Sequence, residues 1–285
     1  MLEALRVALV QMTSPIGAVG QNVAKACDLL HQAREVHGAD VAVLPEFFNT
    51  GYFPVYWDYQ YMRLAETDRG QTIATLRKVA VELQITILAP FYEEEAPGLY
   101  FNTVAIIGKD GELSGKYRKT HPPARLSLEK IYYKRGSRLP LFSIEGWRAG
   151  IMMCYDTFYP EVARCLTVGG AEIIYVPFAN DPMEQWNALL TTRAFENGVY
   201  LAVCNKVGRE SDDNPRAVFG GLSAIVDPRG RILSQAGPDR EEIVCADISW
   251  REVCEVRRER QWLRDRRPEL YSPLARFEED VREMA

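Results

Sequence analysis

Short apolar runs and amphipathic segments alternate along the chain. Seven apolar runs have the length of strands, and four segments place apolar residues three or four positions apart, as in a helix with one buried face. A further stretch, 221–233, is predicted to be a β-hairpin with its turn at Asp227–Gly230. The predicted strands are 6–12, 39–47, 85–93, 102–111, 147–154, 171–179 and 199–208, and the predicted helices are 22–36, 72–83, 159–170 and 183–198.

The sustained alternation of strands and helices predicts an α/β fold in which helices cover the faces of the sheets. The predicted strand at 39–47 is a nearly continuous apolar run, which indicates burial on both of its faces. There is no low-complexity linker or break in composition, so residues 1–285 are predicted to form one domain. The charge-dense end of the chain, 257–285, is interpreted as a solvated helix followed by a tail. Residues from about 259 to 285 are expected to lie in subunit contacts.

The composition argues for a globular protein that binds neither nucleic acid nor membranes. Of the 285 residues, 47% are hydrophobic and 26% are charged, as in ordinary folded domains, and the net charge of −5 does not favour polyanions. The longest apolar runs are strand-sized and too short to span a bilayer. The start of the chain lacks the basic region and cleavage site of a signal peptide, so the expected location is the cytoplasm.

Several common kinds of catalytic site are absent from the sequence. It contains no G-x-G-x-x-G, P-loop or G-x-S-x-G motif, and its three histidines do not have the spacing of a zinc site. The six cysteines are scattered and never form a C-x-x-C pair, so they are predicted to be reduced thiols. No metal ion or other cofactor is therefore expected. Cys154 differs from the other cysteines because it ends an apolar run and is followed by Tyr155, the acid Asp156 and a predicted helix.

Three reactive side chains stand where predicted buried strands end. Glu46 follows an apolar run and a proline, Lys119 precedes the double proline of 116–123, and Cys154 ends the run at 147–154. Ligand sites of open α/β sheets form beyond the carboxyl ends of strands, so the three ends are expected to converge. Taken singly, each residue has an ordinary explanation, as a loop acid, a surface lysine and a core thiol.

Together, the three side chains provide the groups needed to hydrolyse an unreactive C–N bond. A neighbouring cation such as Lys119 is expected to lower the pKa of the Cys154 thiol and to stabilise an oxyanion. A carboxylate shielded from water, here Glu46, can accept the thiol proton and pass it to a departing amine. The backbone N–H of Tyr155 is a second candidate oxyanion donor. A dyad of Cys154 with His121 is the weaker alternative.

In these contexts and in this order, the three residues resemble the nitrilase superfamily of carbon–nitrogen hydrolases. The resemblance extends over residues 5–272 and implies a four-layer αββα sandwich, a homodimer or larger homo-oligomer, and a metal-free mechanism. It implies that Glu46 is the general base, Lys119 the oxyanion stabiliser and Cys154 the nucleophile. A further family glutamate, which orients substrate and lysine, corresponds best to Glu129. The segments that carry the resemblance are 8–12, 44–52, 101–121, 150–161, 170–179, 193–205 and 221–233.

The residues around Cys154 bear on the substrate. True nitrilases typically have Cys-Trp-Glu at this point, whereas this chain has Cys154-Tyr155-Asp156, so a nitrile substrate is disfavoured. A substrate carboxylate needs a cationic partner, and the turn after Cys154 contains none, although Arg125 or Arg193 could substitute. The aromatic and acidic side chains near Cys154 instead favour a pocket for a neutral or cationic amine-bearing chain, unless they line the core or a subunit interface. The residues expected to contact substrate are Tyr52, His121, Tyr155, Asp156, Phe158, Phe178 and Asn180.

The sequence thus predicts a cysteine-dependent hydrolase that releases ammonia from an N-carbamoyl amine or a small aliphatic amide. Segments 154–161 and 264–271 are similar to segments of N-carbamoylputrescine amidases. A nitrilase, an amide acyltransferase and an N-carbamoyl amino acid amidohydrolase are the enzymatic alternatives. A binding or scaffold protein that has lost activity is the alternative of another class, and the presence of Glu46, Lys119 and Cys154 together argues against it.

Overall fold

The structure of the protein is a computed structural model that describes residues 3–125, 127–211, 214 and 216–276. Its helices are α1 (Val19–Glu35), α2 (Gln71–Leu83), α3 (Glu129–Tyr132), α4 (Pro160–Val168), α5 (Trp186–Asn197) and α6 (Trp250–Glu259). Its strands are β1 (Ala4–Gln11), β2 (Val41–Val43), β3 (Thr86–Ala96), β4 (Leu99–Ile107), β5 (Leu113–Arg118), β6 (Leu141–Ile144), β7 (Trp147–Ile151), β8 (Ile173–Pro177), β9 (Tyr200–Cys204), β10 (Val207–Arg209), β11 (Val218–Gly220), β12 (Ala224–Val226), β13 (Ile232–Gln235) and β14 (Glu242–Ser249).

Two six-stranded sheets form the centre of the fold. The first sheet has the strand order β14-β1-β2-β3-β4-β5, and the second has the order β13-β12-β9-β8-β7-β6. Each sheet contains three neighbouring parallel strands, β1-β2-β3 or β7-β8-β9, with antiparallel strands on both sides. The antiparallel pair of β12 and β13 is the hairpin predicted over 221–233, and that prediction is confirmed.

The period of two along the strands separates two apolar cores. In β1, Val7 and Leu9 face the core between the sheets, whereas Ala8 and Val10 face the core beneath α1 and α2. Helices α4 and α5 cover the outer face of the second sheet and bury residues such as Leu190 against it. The layers therefore run helix, sheet, sheet, helix, and the predicted αββα sandwich is confirmed.

The first sheet differs from its prediction at β2. This strand ends at Val43, although the apolar run continues to 47. Pro45 has no N–H to donate to a neighbouring strand, and its carbonyl instead accepts the N–H of Phe48 in a turn. Glu46 therefore lies in a tight loop that directly follows a buried strand. Strands β5, β6, β11 and β14 were not predicted from the periodicity of the chain.

The last described helix leads into the expected tail. Helix α6 ends at Glu259, where the expected tail begins. Short 3₁₀ turns follow between residues 261 and 275, and Pro268 and Pro273 within them cannot continue a helix. Residues 277–285 of the expected tail lie outside the described residues. None of the helices in the described part of the chain has the length and apolar character that a bilayer crossing needs.

Candidate active site

The three predicted strand ends converge at one edge of the sandwich. Glu46 follows β2, Lys119 follows β5, and Cys154 follows β7, so two of the residues come from the first sheet and one from the second. Strand β5 runs in the same direction as β2, because two antiparallel pairings separate it from β3, which is parallel to β2. All three side chains are buried, and Cys154 is the most exposed of them at 7%.

A buried ion cluster links Glu46, Lys119 and Glu129. The ammonium Nζ of Lys119 lies 2.8 Å from Oε1 of Glu46 and 2.8 Å from Oε2 of Glu129. The side-chain amide of Asn102 also donates to Oε1 of Glu46, at 2.8 Å. The second oxygen of Glu46, Oε2, is buried and has no hydrogen-bond partner among the described residues. One carboxylate oxygen is thus held in place, and the other keeps its capacity to accept a proton.

The charges in this cluster shift one another's pKa values. Burial opposes the charged form of Lys119, but the two carboxylates beside it outweigh burial and hold its pKa well above the ordinary value. Burial and the negative charge of Glu46 raise the pKa of Glu129 to about 7, against the opposing effect of Lys119. Lys119 is therefore a permanent cation, and Glu129 is a carboxyl group that can change its charge near neutral pH.

Cys154 lies at a sharp bend between β7 and a 3₁₀ segment, Cys154–Phe158. Its φ of +44° is in the left-handed region, which a residue with a side chain adopts at some cost. The thiol Sγ points toward the carbonyl oxygen of Ala179, 3.8 Å away. The bend places the thiol in the wall of a cavity instead of continuing the buried strand.

Lys119 lowers the pKa of Cys154 as expected, but it does not decide the net pKa of this thiol in the resting protein. Burial raises the pKa of this thiol well above its ordinary value, and the negative charges of Glu46 and Glu129 raise it further. The single cation of Lys119 opposes these effects without overcoming them. The resting residue is consequently a neutral thiol that needs a base to become a nucleophile.

Asp156 belongs to the framework of the site and does not reach the cavity. It is fully buried, and its two carboxylate oxygens accept hydrogen bonds from four groups. These donors are the Tyr117 hydroxyl at 2.5 Å, the Thr120 hydroxyl at 2.8 Å, and the backbone N–H groups of Met153 at 2.9 Å and His121 at 3.0 Å. The hydrogen bonds to these donors and to the His121 ring outweigh burial and lower the pKa of Asp156. The expectation that this carboxylate contacts substrate is therefore corrected: Asp156 ties the bend before Cys154 to the end of β5.

Two further residues expected to contact substrate also lie outside the cavity wall. Phe178 is fully buried and packs edge-on against Trp186, with ring centroids 4.9 Å apart. The His121 ring lies 2.8 Å from Asp156 through Nδ1 and stacks on Tyr159, with centroids 4.1 Å apart. Neither side chain lines the cavity, although Phe178 packs against Phe158, which does.

The cavity in front of Cys154 has a volume of about 390 Å³. This size is within the range typical of sites for small molecules. Four of the residues predicted to contact substrate line it, namely Tyr52, Tyr155, Phe158 and Asn180. Its lining consists of Tyr52, Pro123, Arg125, Ser127, Cys154, Tyr155, Phe158, Ala179, Asn180 and Met183.

A second buried ion pair, which the sequence analysis did not identify, holds the loop that carries Glu46. Lys206 Nζ lies 2.5 Å from Glu210 Oε1 and donates to the backbone carbonyl of Phe47 at 3.0 Å. The other oxygen of Glu210 accepts the backbone N–H of Tyr52 at 2.8 Å. Lys206 is the second residue after the apolar strand β9, and that position was the signal in the sequence.

Metal ligation does not account for these buried side chains. Within the described ranges there is no group of three or more His, Cys, Asp or Glu side chains placed to hold a metal ion. All six cysteines lie in the described part of the chain and are free thiols. The arrangement can instead supply a nucleophile, a base and a fixed cation around one reacting carbon.

Comparison with known proteins agrees with this geometry. Residues 6–258 match the family model described as carbon-nitrogen hydrolase. The chain is 33% identical to 2-oxoglutaramate amidase of Bacillus subtilis, over 93% of this chain and 98% of the relative. It is 32% identical to N-carbamoylputrescine amidase of Oryza sativa, over 89% of each chain.

A solved structure of an amidase from Nesterenkonia sp. AN1 is similar in fold. It superposes with a TM-score of 0.80 at 27% identity, over 94% of this chain and 96% of that chain. In that structure, which carries a glutamate-to-glutamine mutation, the acetamide moiety of fluoroacetamide is covalently added to the active-site cysteine.

Proposed function

The chain belongs to the carbon–nitrogen hydrolase family, and we propose that it releases ammonia from a small linear amide or carbamoyl compound with Cys154 as the nucleophile. The observation that carries the proposal is the free oxygen of Glu46 in a cluster with Lys119, beside a cavity lined by a buried thiol. The similarity to amidases of two substrate types supports the reaction class.

The first step forms the bond between sulfur and carbon. Glu46 Oε2 accepts the thiol proton of Cys154, and Sγ attacks the carbonyl carbon of the substrate. The carbonyl oxygen becomes an oxyanion, which the ammonium group of Lys119 stabilises. The backbone N–H of Tyr155 is the second donor, because it lies in the first turn of the 3₁₀ segment, where no intrahelical acceptor is available.

The remaining steps release the two products. The tetrahedral intermediate collapses while Glu46 gives its proton to the nitrogen, so that ammonia leaves and a thioester with Cys154 remains. Water then attacks the thioester, Glu46 accepts a proton from that water, and the acid product departs as the thiol regains its proton. The covalent adduct in the Nesterenkonia amidase keeps the acetamide nitrogen, so it is an alkylated cysteine and supports the nucleophilic role of the thiol in the first step. Glu129 is the positioning residue that holds Lys119 from the side opposite Glu46.

The proposed assembly is a homodimer or larger homo-oligomer in the cytoplasm. Four apolar side chains between residues 262 and 274 are exposed, including Leu270 at 60% and Leu274 at 68%. Exposed apolar side chains grouped in this way are typical of a surface that a second subunit covers. Free thiols support a reducing compartment.

Measuring ammonium release tests the proposed function. Butyramide and N-carbamoylputrescine are the substrates, and wild type is compared with Cys154→Ala and with Cys165→Ala, which removes an exposed thiol on α4. We expect release that disappears only in Cys154→Ala, together with an acyl-enzyme mass on the wild type. Release that persists in Cys154→Ala would contradict the thiol mechanism. Consumption of a nitrile, or product that requires an added amine acceptor, would identify a nitrilase or an acyltransferase instead.

A further inference from the structure

The wall of the substrate cavity contains one charged side chain among the described residues, and that side chain is Arg125. It is exposed, whereas Cys154 is 93% buried, so the two groups mark different depths of the same cavity. The polar groups of the wall between them are neutral. They are Tyr52, Ser127, Tyr155 and Asn180.

The acidic side chains near the cavity do not form part of its described wall. Asp156 is fully buried beneath its four donors, and Glu46 and Glu129 hold Lys119. Oδ1 of Asp181 lies 2.7 Å from the position that a Cβ atom on Gly220 would take, so this carboxylate packs against β11 and not in the cavity wall. The described wall therefore offers a cation to a substrate and no carboxylate to hold an ammonium group.

We infer that Arg125 binds a carboxylate at the end of the substrate remote from the scissile bond, so that the preferred substrates are amides of acids that retain a free carboxylate. The inference rests on the proposed function and names its substrate class. A guanidinium group binds a carboxylate through two parallel N–H···O bonds, which fixes orientation as well as charge. The amide end then reaches Cys154 at the buried end of the cavity, and Arg125 acts on specificity without taking part in the chemistry.

Three amides of similar length test this inference. Succinamate ends in a carboxylate, butyramide in a methyl group and 3-aminopropanamide in an ammonium group. For wild type we expect the highest kcat/KM with succinamate. In Arg125→Gln, the ratio of kcat/KM for succinamate to that for butyramide should fall at least tenfold, mainly through KM. In Arg125→Glu, 3-aminopropanamide should become preferred over succinamate. Arg135→Gln removes the same charge from an exposed residue outside the cavity wall and should preserve the wild-type ratio.

The outcomes separate the inference from the proposed function. If butyramide is hydrolysed in a Cys154-dependent manner but Arg125→Gln leaves the ratio unchanged, the assignment of Arg125 is wrong and the proposed function stands. Preference of the wild type for 3-aminopropanamide would also overturn the assignment. If only N-carbamoylputrescine releases ammonium, the inference fails and the proposed function stands. If neither these amides nor N-carbamoylputrescine releases ammonium, or if release persists in Cys154→Ala, both fail.

Discussion

Lys119 occupies one carboxylate oxygen of Glu46 and leaves the other without a donor. Oε1 lies 2.8 Å from the ammonium group and also accepts the Asn102 amide, whereas buried Oε2 has no partner among the described residues. A buried acceptor without a hydrogen bond costs roughly 1–3 kcal/mol, so proteins seldom retain one without a use for it. The two oxygens of Glu46 therefore have different tasks: one fixes the side chain, and the other can take a proton.

Glu46→Gln is expected to change turnover and thiol acidity in opposite ways. Glutamine can still accept from Lys119 and Asn102, but its amide nitrogen cannot take a proton, so kcat should fall by roughly 10²–10⁴-fold. The pKa of Cys154 should fall at the same time, because the charge of Glu46 raises it in the wild type. Ammonium release and thiolate absorbance during a pH titration measure the two effects, with Cys154→Ala as the absorbance blank. An unchanged kcat, or a thiol pKa that rises, would contradict the role of Glu46.

Lys119→Met should destabilise the fold because it leaves two buried carboxylates without their cation. Removal of one partner from a buried ion pair typically costs about 3–5 kcal/mol. The double variant Lys119→Met/Glu129→Gln should be less destabilised than Lys119→Met, because one of the unpaired charges is then absent. Urea unfolding of the wild type, both single variants and the double variant gives the coupling free energy. Additive effects of the two substitutions would mean that Lys119 and Glu129 do not interact energetically.

Glu129 predicts a pH dependence of stability with a definite sign. Its pKa rises from an ordinary value of 4.5 to about 7 in the folded protein, so the native state holds this proton more tightly than the unfolded chain does. The contribution is stabilising below the unfolded value and is lost as the pH rises toward 7, with a slope of at most about 1.4 kcal/mol per pH unit. Glu129→Gln should remove that slope from the wild-type curve of unfolding free energy between pH 5 and 7. Parallel curves for the two proteins would show that Glu129 does not titrate in this range.

Lys206 and Glu210 are predicted to position Glu46 through the backbone. They hold the carbonyl of Phe47 and the N–H of Tyr52, which lie at the two ends of the loop after Glu46. A base displaced by about 1 Å can slow the reaction by roughly 100-fold, so Lys206→Met should lower kcat strongly and change KM little. Adding Glu210→Gln should recover stability, since it removes the unpaired buried carboxylate, but should not recover kcat. Loss of stability with an unchanged kcat would show that the pair is purely structural.

The sequence predicts the elements of this site better than their surroundings. Glu46 and Cys154 each follow an apolar run closely, which is enough to place them at strand ends. Lys119 follows β5, which is not an apolar run, and its place at the same edge depends on the order of strands in the first sheet. The burial of Asp156 was not predictable in this way, because Tyr117, Thr120 and His121, which donate to it, precede it by 35 to 39 residues. The acidity of the Cys154 thiol was mispredicted for a related reason. The direction of the pKa shift of Cys154 depends on whether burial and two carboxylates outweigh one ammonium group. That balance depends on how deeply the thiol is buried and how close the charged groups lie, which the sequence does not give.

The division of the proposed machinery between the two sheets links chemistry to the packing of the core. Glu46 and Lys119 are fixed to one sheet and Cys154 to the other. The distance between the base and the nucleophile therefore depends on the position of one sheet relative to the other. Leu9 and Val43 on one side and Ile151 and Cys204 on the other set that relation. Trimming such a side chain would let one sheet slide relative to the other and would slow turnover from a site that no substrate touches. The value of kcat would then depend on the alignment of the two sheets. In such variants kcat would fall under conditions in which the protein is still folded.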